Sequence, residues 1–156
     1  MRRLISMNPL SKIWIYTSKS KINKDNAKII KLFSDTFINQ WESHGNKVNG
    51  SIEIVDDYFI VVTADEQGSA MCGKAKDAIM RLIKELEFET GLIFTDRMAV
   101  ALKIDDKIFI SNFYDVKEKL KKNAYPENTK IYNPLITTVK DYNESFMQEI
   151  SDSWLT

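Results

Sequence analysis

One uninterrupted apolar run, Tyr58 to Thr63, constrains the fold more than any other stretch of the chain. A strand with one wet face alternates apolar and polar residues, whereas this run, YFIVVT, contains no charged or amide side chain. The run therefore predicts a strand in the middle of a sheet. Asp56 and Asp57 separate it from a second strand-like run, so the two runs predict a hairpin.

The segments on either side of this hairpin alternate between strand-like and helix-like patterns. KIWIYTS, Lys12 to Ser18, predicts a first strand that is rich in β-branched and aromatic residues. Apolar residues four apart then predict a helix that starts near Asn23, includes Trp41 in its apolar stripe and ends at a C-terminal cap on Gly45. Five further elements are predicted downstream: a helix over 70–88, a hairpin around Asp105 and Asp106, a short helix over 114–122, a short extended piece over 130–138 that Pro134 interrupts, and a last helix over 139–150.

This order of elements predicts an α+β fold. Its first part, β-α-β-β-α-β, is that of a ferredoxin-like (split βαβ) antiparallel sheet with its helices on one face. The last helix predicts a C-terminal helical extension. Residues 12–156 are predicted to form a single domain, and residues 1–11 to be a short leader that can be disordered.

Charge and cysteine content exclude several classes of protein. The 22 basic residues balance 22 acidic ones, which disfavours binding to nucleic acid. A single cysteine, Cys72, precludes an internal disulfide and fits a cytoplasmic location. The chain contains no apolar run long enough to predict a signal peptide or a membrane span, so no membrane insertion is expected.

The stretch GSAMCGKA resembles a phosphate-binding loop. Gly68, Gly73 and Lys74 match its spacing, in which backbone N–H groups and the lysine hold phosphates. The next position requires a hydroxyl for Mg²⁺ but is Ala75. The acidic pair Asp65 and Glu66 directly before the loop would repel phosphate. A capped helix start with an exposed Lys74 is the alternative.

Cys72 is predicted to lie in the first turn of a helix, where unpaired N–H groups favour the thiolate. His44 is the single histidine and could serve as the base that a nucleophilic cysteine requires. The alternatives are a small buried Cys72 against the sheet and a His44 that is a polar residue in a helix C-terminal turn. No metal-ligand spacing is present, so no metal site and no cofactor are predicted.

Asp96 and Arg97, in the segment TDRM, are two further candidate catalytic residues beside a predicted strand. The alternative is a structural role, in which the two side chains pair with other charges at the edge of the sheet.

Six segments run in order over nearly the whole chain: IWIYTS (Ile13–Ser18), WESHG (Trp41–Gly45), SAMCG (Ser69–Gly73), DRM (Asp96–Met98), NPLITT (Asn133–Thr138) and DSW (Asp152–Trp154). In order and spacing they resemble a family of Bacteroidetes proteins of similar length that carry the name "ABC transporter ATPase" without a complete ATPase motif set. The family pattern around the cysteine is S-G-C-S-I-D, so this chain departs from it on both sides of Cys72. The resemblance implies a cytoplasmic protein and a name, but no activity.

Three functional hypotheses follow. The first, favoured because no catalytic set is complete, is a non-enzymatic module that binds a protein partner or forms a homo-oligomer; it predicts an exposed apolar patch or sheet edge. The second is a Cys72-dependent enzyme or thiol sensor. The third is a nucleotide-binding protein that uses the Gly68–Lys74 loop.

Overall fold

The computed structural model describes residues 5–66 and 70–155. These residues form nine strands and four α-helices, which are numbered along the chain: β1 (Lys12–Thr17), α1 (Lys24–Gln40), β2 (Glu42–Ser43), β3 (Asn46–Lys47), β4 (Asn49–Val55), β5 (Phe59–Asp65), α2 (Gly73–Thr90), β6 (Ala99–Ile104), β7 (Lys107–Asn112), α3 (Phe113–Lys121), β8 (Lys130–Tyr132), α4 (Val139–Ser145) and β9 (Met147–Glu149). A short 3₁₀ helix, Ile150–Asp152, follows β9. No helix within the described ranges is both long enough and apolar enough to cross a membrane.

The first sheet has the strand order β1-β5-β4, and both pairings are antiparallel. β5 is the central strand, as the apolar run predicts, and its residues from Phe59 to Ala64 are all buried. Because side chains alternate along a strand, Ile60, Val62 and Ala64 pack against α1 and α2, whereas Phe59 and Val61 face the other way. Both faces of β5 are thus covered by protein.

The second sheet, of order β7-β6-β8-β9, covers that other face. Ala101 of β6 packs toward Phe59 and Val61, together with α4. Val100 and Leu102 face away from the first sheet and pack beneath α3 and the C-terminal residues. The molecule therefore has four layers: two helices, two antiparallel sheets, and a last layer of α3 with the C-terminal segment.

The α+β class with antiparallel sheets is confirmed, but the ferredoxin-like sheet is not. The first three strands of such a sheet are present in the expected order. β1 and β4, which α1 connects, lie on either side of β5. The strand that should lie beside β1 is β6, which instead belongs to the second sheet. Burial explains this placement, because β6 is apolar on both faces and needs a layer on each side.

The predicted end of the first helix at Gly45 is wrong. α1 ends at Gln40, and Trp41 is extended (φ −74°, ψ 121°). His44 and Gly45 form the turn of the small β2–β3 hairpin with φ values of 54° and 76°. Two positive φ values are what a type I′ turn requires, and Gly45 supplies the second without strain.

The predicted C-terminal helix is shorter than expected. α4 ends at Ser145, and Met147–Glu149 pairs with β8 as the edge strand of the second sheet. Of the predicted leader, residues 5–11 are described, and the backbone of Ile5 exchanges two hydrogen bonds with the Asn143 side chain of α4. The division into a leader and a single domain stays a prediction.

Candidate functional site

Cys72 is the N-cap residue of α2, one residue before the helix begins at Gly73. Its backbone is extended (φ −70°, ψ 158°). Cys72 therefore lies at the start of α2 but not in its first turn as predicted, because the helix begins three residues later than expected. Gly68, the first glycine of the phosphate-loop pattern, lies outside the described residues.

The β2–β3 hairpin lies against the segment that leads into α2. The Cys72 N–H donates to Ser43 Oγ over 3.0 Å. His44 Nε2 is 3.1 Å from the carbonyl oxygen of Ala70. Because a carbonyl can only accept, Nε2 carries the proton in this contact. The structure therefore brings together the single cysteine and the single histidine, which lie on different elements of the chain.

Trp41 positions this hairpin. Its ring is 3% exposed, packs 4.9 Å from the ring of Phe37, and donates from Nε1 to the carbonyl oxygen of Ala75 over 2.9 Å. The Val48 N–H donates to the Trp41 carbonyl across the base of the hairpin. One buried residue thus connects the end of α1, the hairpin and the first turn of α2.

Hydrogen-bond donors around the sulfur lower the pKa of Cys72 from an ordinary value of 9.0 to about 7. The largest contribution comes from the backbone N–H of His44, followed by the backbone N–H of Ala75, which is shared with the Cys72 carbonyl oxygen, and the hydroxyl of Ser43. The charge of His44 adds a smaller effect in the same direction, and partial burial opposes them. The thiol is partly exposed, so that a reagent in solution can reach it.

The contribution of His44 differs from the one expected. The sequence suggested a general base, but the ring nitrogen Nε2 is bonded to Ala70, and the main effect on the sulfur comes from the backbone N–H. His44 lies close to Cys72 because the β2–β3 hairpin, of which it is a turn residue, packs against the segment before α2. The dipeptide His-Gly between polar residues is a sequence signal for such a turn. Trp41 continues the helical spacing of apolar residues, which predicts a longer helix over this segment instead.

Several backbone donors of the phosphate-loop stretch are already bonded within the described part of the chain. The Met71 N–H donates to Glu66 Oε2 over 2.7 Å, and the N–H groups of Ala75 and Lys76 donate to the Cys72 carbonyl. A phosphate would have to displace the Glu66 carboxylate, a like charge. Gly73 is exposed at the start of α2 and Lys74 is exposed beside the cleft between α1 and α2.

Asp96 and Arg97 belong to a different part of the surface. Asp96 accepts from the Met98 N–H over 2.9 Å and forms an ion pair with Lys19 at 3.0 Å. The Met98 N–H and Lys19 lower the pKa of Asp96. Arg97 is exposed. Both residues line a cavity of about 660 Å³ that includes neither Cys72 nor His44.

Within residues 5–66 and 70–155, no three His, Cys, Asp or Glu side chains lie close enough together to hold a metal ion. Comparisons with protein-family models, curated proteins and solved structures found no match for this chain. The resemblance to the Bacteroidetes family therefore stays a prediction, and the chemistry of the site has to be argued from its own geometry.

Proposed function

We propose that the protein is a non-enzymatic thiol sensor whose reactive group is Cys72. The observation that carries this proposal is the position of the partly exposed thiol at the N-cap of α2, with the β2–β3 hairpin against it through the hydrogen bond from the Cys72 N–H to Ser43 Oγ. Hydrogen bonds from His44, Ala75 and Ser43 lower the pKa of this thiol. Hydrogen bonds to an anion stabilise its charged form. With a pKa of about 7, about half of the thiol is ionised at neutral pH, against about one per cent for a pKa of 9.

The chemistry that fits this site is attack by the thiolate on a peroxide or a disulfide. With a peroxide, the sulfur–oxygen bond forms, the oxygen–oxygen bond breaks, and hydroxide leaves to give a sulfenic acid. With a disulfide, the sulfur forms a mixed disulfide and expels the other thiolate. Because Cys72 is the only cysteine, the thiol that restores it must come from another molecule.

A sensor is favoured over a hydrolytic enzyme because a turnover cycle needs a base aimed at the nucleophile or at water. His44 is the single histidine, and its Nε2 is bonded to a backbone carbonyl. The site thus supports formation of a covalent adduct better than its hydrolysis.

The test is the pH dependence of the reaction with a small aromatic disulfide. We expect the rate of wild type to rise with a midpoint near pH 7. At neutral pH it should exceed that of a peptide with the sequence of residues 70–75 by roughly sixfold, because lower nucleophilicity offsets part of the fifty-fold gain in thiolate. Above the pKa of the peptide, the peptide should react faster.

Two variants separate the sources of the effect. Ser43→Ala removes one donor, so its midpoint should lie above that of wild type. His44→Asn keeps the backbone N–H and tolerates the positive φ of the turn, so its midpoint should change less. A wild-type midpoint equal to that of the peptide would contradict the proposal. A large shift in His44→Asn with none in Ser43→Ala would assign the acidity to the imidazole instead.

A second candidate function is the binding module that the sequence favours. The observation in its support is the open edge of β1, beside which no fourth strand lies within the described residues. Open sheet edges are sites at which another chain can add a strand. This candidate does not depend on Cys72.

A further inference from the structure

The outer edge of β1 has unpaired backbone groups between two closed ends. The Ser18 N–H donates to Tyr58 of the hairpin, so the even-numbered residues of β1 bond to β5 and the odd-numbered ones point outward. At one end the Ile13 N–H donates to Thr137, and at the other the Lys19 N–H donates to Ile93. Between them, within the part of the chain that is described, the backbone groups of Ile15 and Thr17 have no partner on this edge.

A groove runs along this edge. It consists of two adjoining cavities of about 480 and 660 Å³, which share Ile15, Tyr16, Pro134 and Leu135. We call it the β1 groove. Its apolar wall includes Leu135, which is 66% exposed, and Met80 of α2, which is 37% exposed. An extended segment in the groove would satisfy the free groups of β1 and cover both apolar side chains.

The charges that line the β1 groove are mainly positive. Lys12 of β1, Lys76 and Lys84 of α2, and Arg97 of the loop before β6 all line it. Among the described residues that line it, the one carboxylate is Asp96, which is ion-paired with Lys19. Four cations against one compensated anion favour an acidic occupant.

The spacing along α2 specifies where the acids should lie. Lys76, Met80 and Lys84 are four residues apart, so the backbone positions of the two lysines lie on one side of α2 about 12 Å apart along the axis. Residues four apart in a strand are separated by about 13 Å and share a face. An acidic, an apolar and an acidic residue at alternate positions of a strand would therefore match Lys76, Met80 and Lys84.

We propose that the β1 groove binds an extended segment of a partner protein that adds to β1 as an outer strand and carries two carboxylates four residues apart, flanking a central apolar residue. This inference names the partner chemistry of the binding-module candidate and rests on it. A second copy of the chain is disfavoured as the occupant, because it would bring the same four cations against each other.

The probe is a blocked pentapeptide, Glu-Thr-Val-Thr-Glu. Its binding is measured from changes in the backbone amide chemical shifts of the labelled protein. Its controls are Lys-Thr-Val-Thr-Lys, the rearranged Thr-Glu-Val-Glu-Thr, and glutarate alone. We expect the first peptide to shift the amides of Ile15 and Thr17 and the controls to shift them at least several-fold less. The double variant Lys76→Glu and Lys84→Glu should weaken binding of the acidic peptide roughly tenfold and favour the lysine peptide. Lys117→Glu with Lys121→Glu, on α3, is the matched control and should leave binding unchanged.

Each other outcome overturns part of the inference. Equal shifts with acidic and basic peptides would reject the acidic partner but keep the binding module. Equal shifts with glutarate would indicate a site for small carboxylates. Shifts that depend on protein concentration without any peptide would indicate a second copy. No shift at Ile15 and Thr17 with any peptide at millimolar concentration would reject strand addition, and with it the groove as the surface of a binding module.

Discussion

At the scale of single residues, the acidity of Cys72 comes mainly from backbone atoms. The two largest contributions to its lowered pKa are N–H groups of His44 and Ala75, which any side chain at those positions would provide. A sequence motif records side chains, so the pair Cys72 and His44 could be recognised as candidates but not as neighbours. The identity of the cysteine was predictable, whereas its environment depends on the turn of a distant hairpin.

Gly50 illustrates a residue whose size matters more than its conformation. A Cβ added there would lie 2.6 Å from the Trp41 ring and 2.7 Å from the carbonyl oxygen of Thr63. Because Trp41 also holds the β2–β3 hairpin, we expect Gly50→Ala to lower the free energy of unfolding by about 1–3 kcal/mol. Urea denaturation measures this change.

The matched control for that substitution is Gly73→Ala. A Cβ at Gly73 would meet nothing within 4 Å. The free energy of unfolding should therefore stay within about 1 kcal/mol of wild type or rise, since alanine favours a helix over glycine. Equal losses in the two variants would contradict the steric explanation for Gly50.

At the scale of elements, α2 connects both proposals. Its N-cap is Cys72, and its exposed residues Lys76, Met80 and Lys84 form one wall of the β1 groove. The helical pattern predicted α2 and its buried stripe, because local periodicity determines which side faces the sheet. The helical pattern could not predict that the exposed side of α2 would lie beside the edge of β1, because that placement depends on how distant strands pair.

The N-cap of α2 offers an element-scale prediction. The helices α1, α3 and α4 are capped by Asn23, Asn112 and Thr138, whose side-chain oxygens accept backbone N–H groups, whereas the N-cap residue of α2 is Cys72, whose sulfur is a weaker acceptor. Below pH 7 the free energy of unfolding of the Cys72→Ser variant should exceed that of wild type by about 0.5–1 kcal/mol, because serine is a strong N-cap residue. Chemical denaturation measures it, and a lower stability of Cys72→Ser would contradict this view of the cap.

At the scale of the whole molecule, the sequence predicts the α+β class and the central strand, but not the number of layers. The run from Tyr58 to Thr63 requires cover on both faces, and the sequence alone predicts from this a central position within one sheet. The cover comes from a second sheet, which β6 joins because both of its faces are apolar. Whether a strand extends one sheet or begins another is decided by packing between distant segments, which local patterns do not report.

The global stability should depend on pH through Cys72. Its pKa is lower in the folded protein than its ordinary value of 9.0, so the thiolate stabilises the folded state. This stabilisation is fully present above pH 9 and is lost as pH falls through about 7. The melting temperature of wild type relative to Cys72→Ser should therefore rise between pH 7 and pH 9. A difference that is constant over this range would contradict it.

The most direct test of the thiol-sensor account is an ultraviolet titration of the thiolate. Because Cys72 is the only cysteine, the difference in absorbance between wild type and Cys72→Ser reports one group. We predict a midpoint of about 7 for the folded protein and a midpoint near the ordinary value of 9.0 after unfolding in urea. The same midpoint in both states would contradict the account, because the donors from Ser43, His44 and Ala75 would then contribute nothing to the acidity of the thiol.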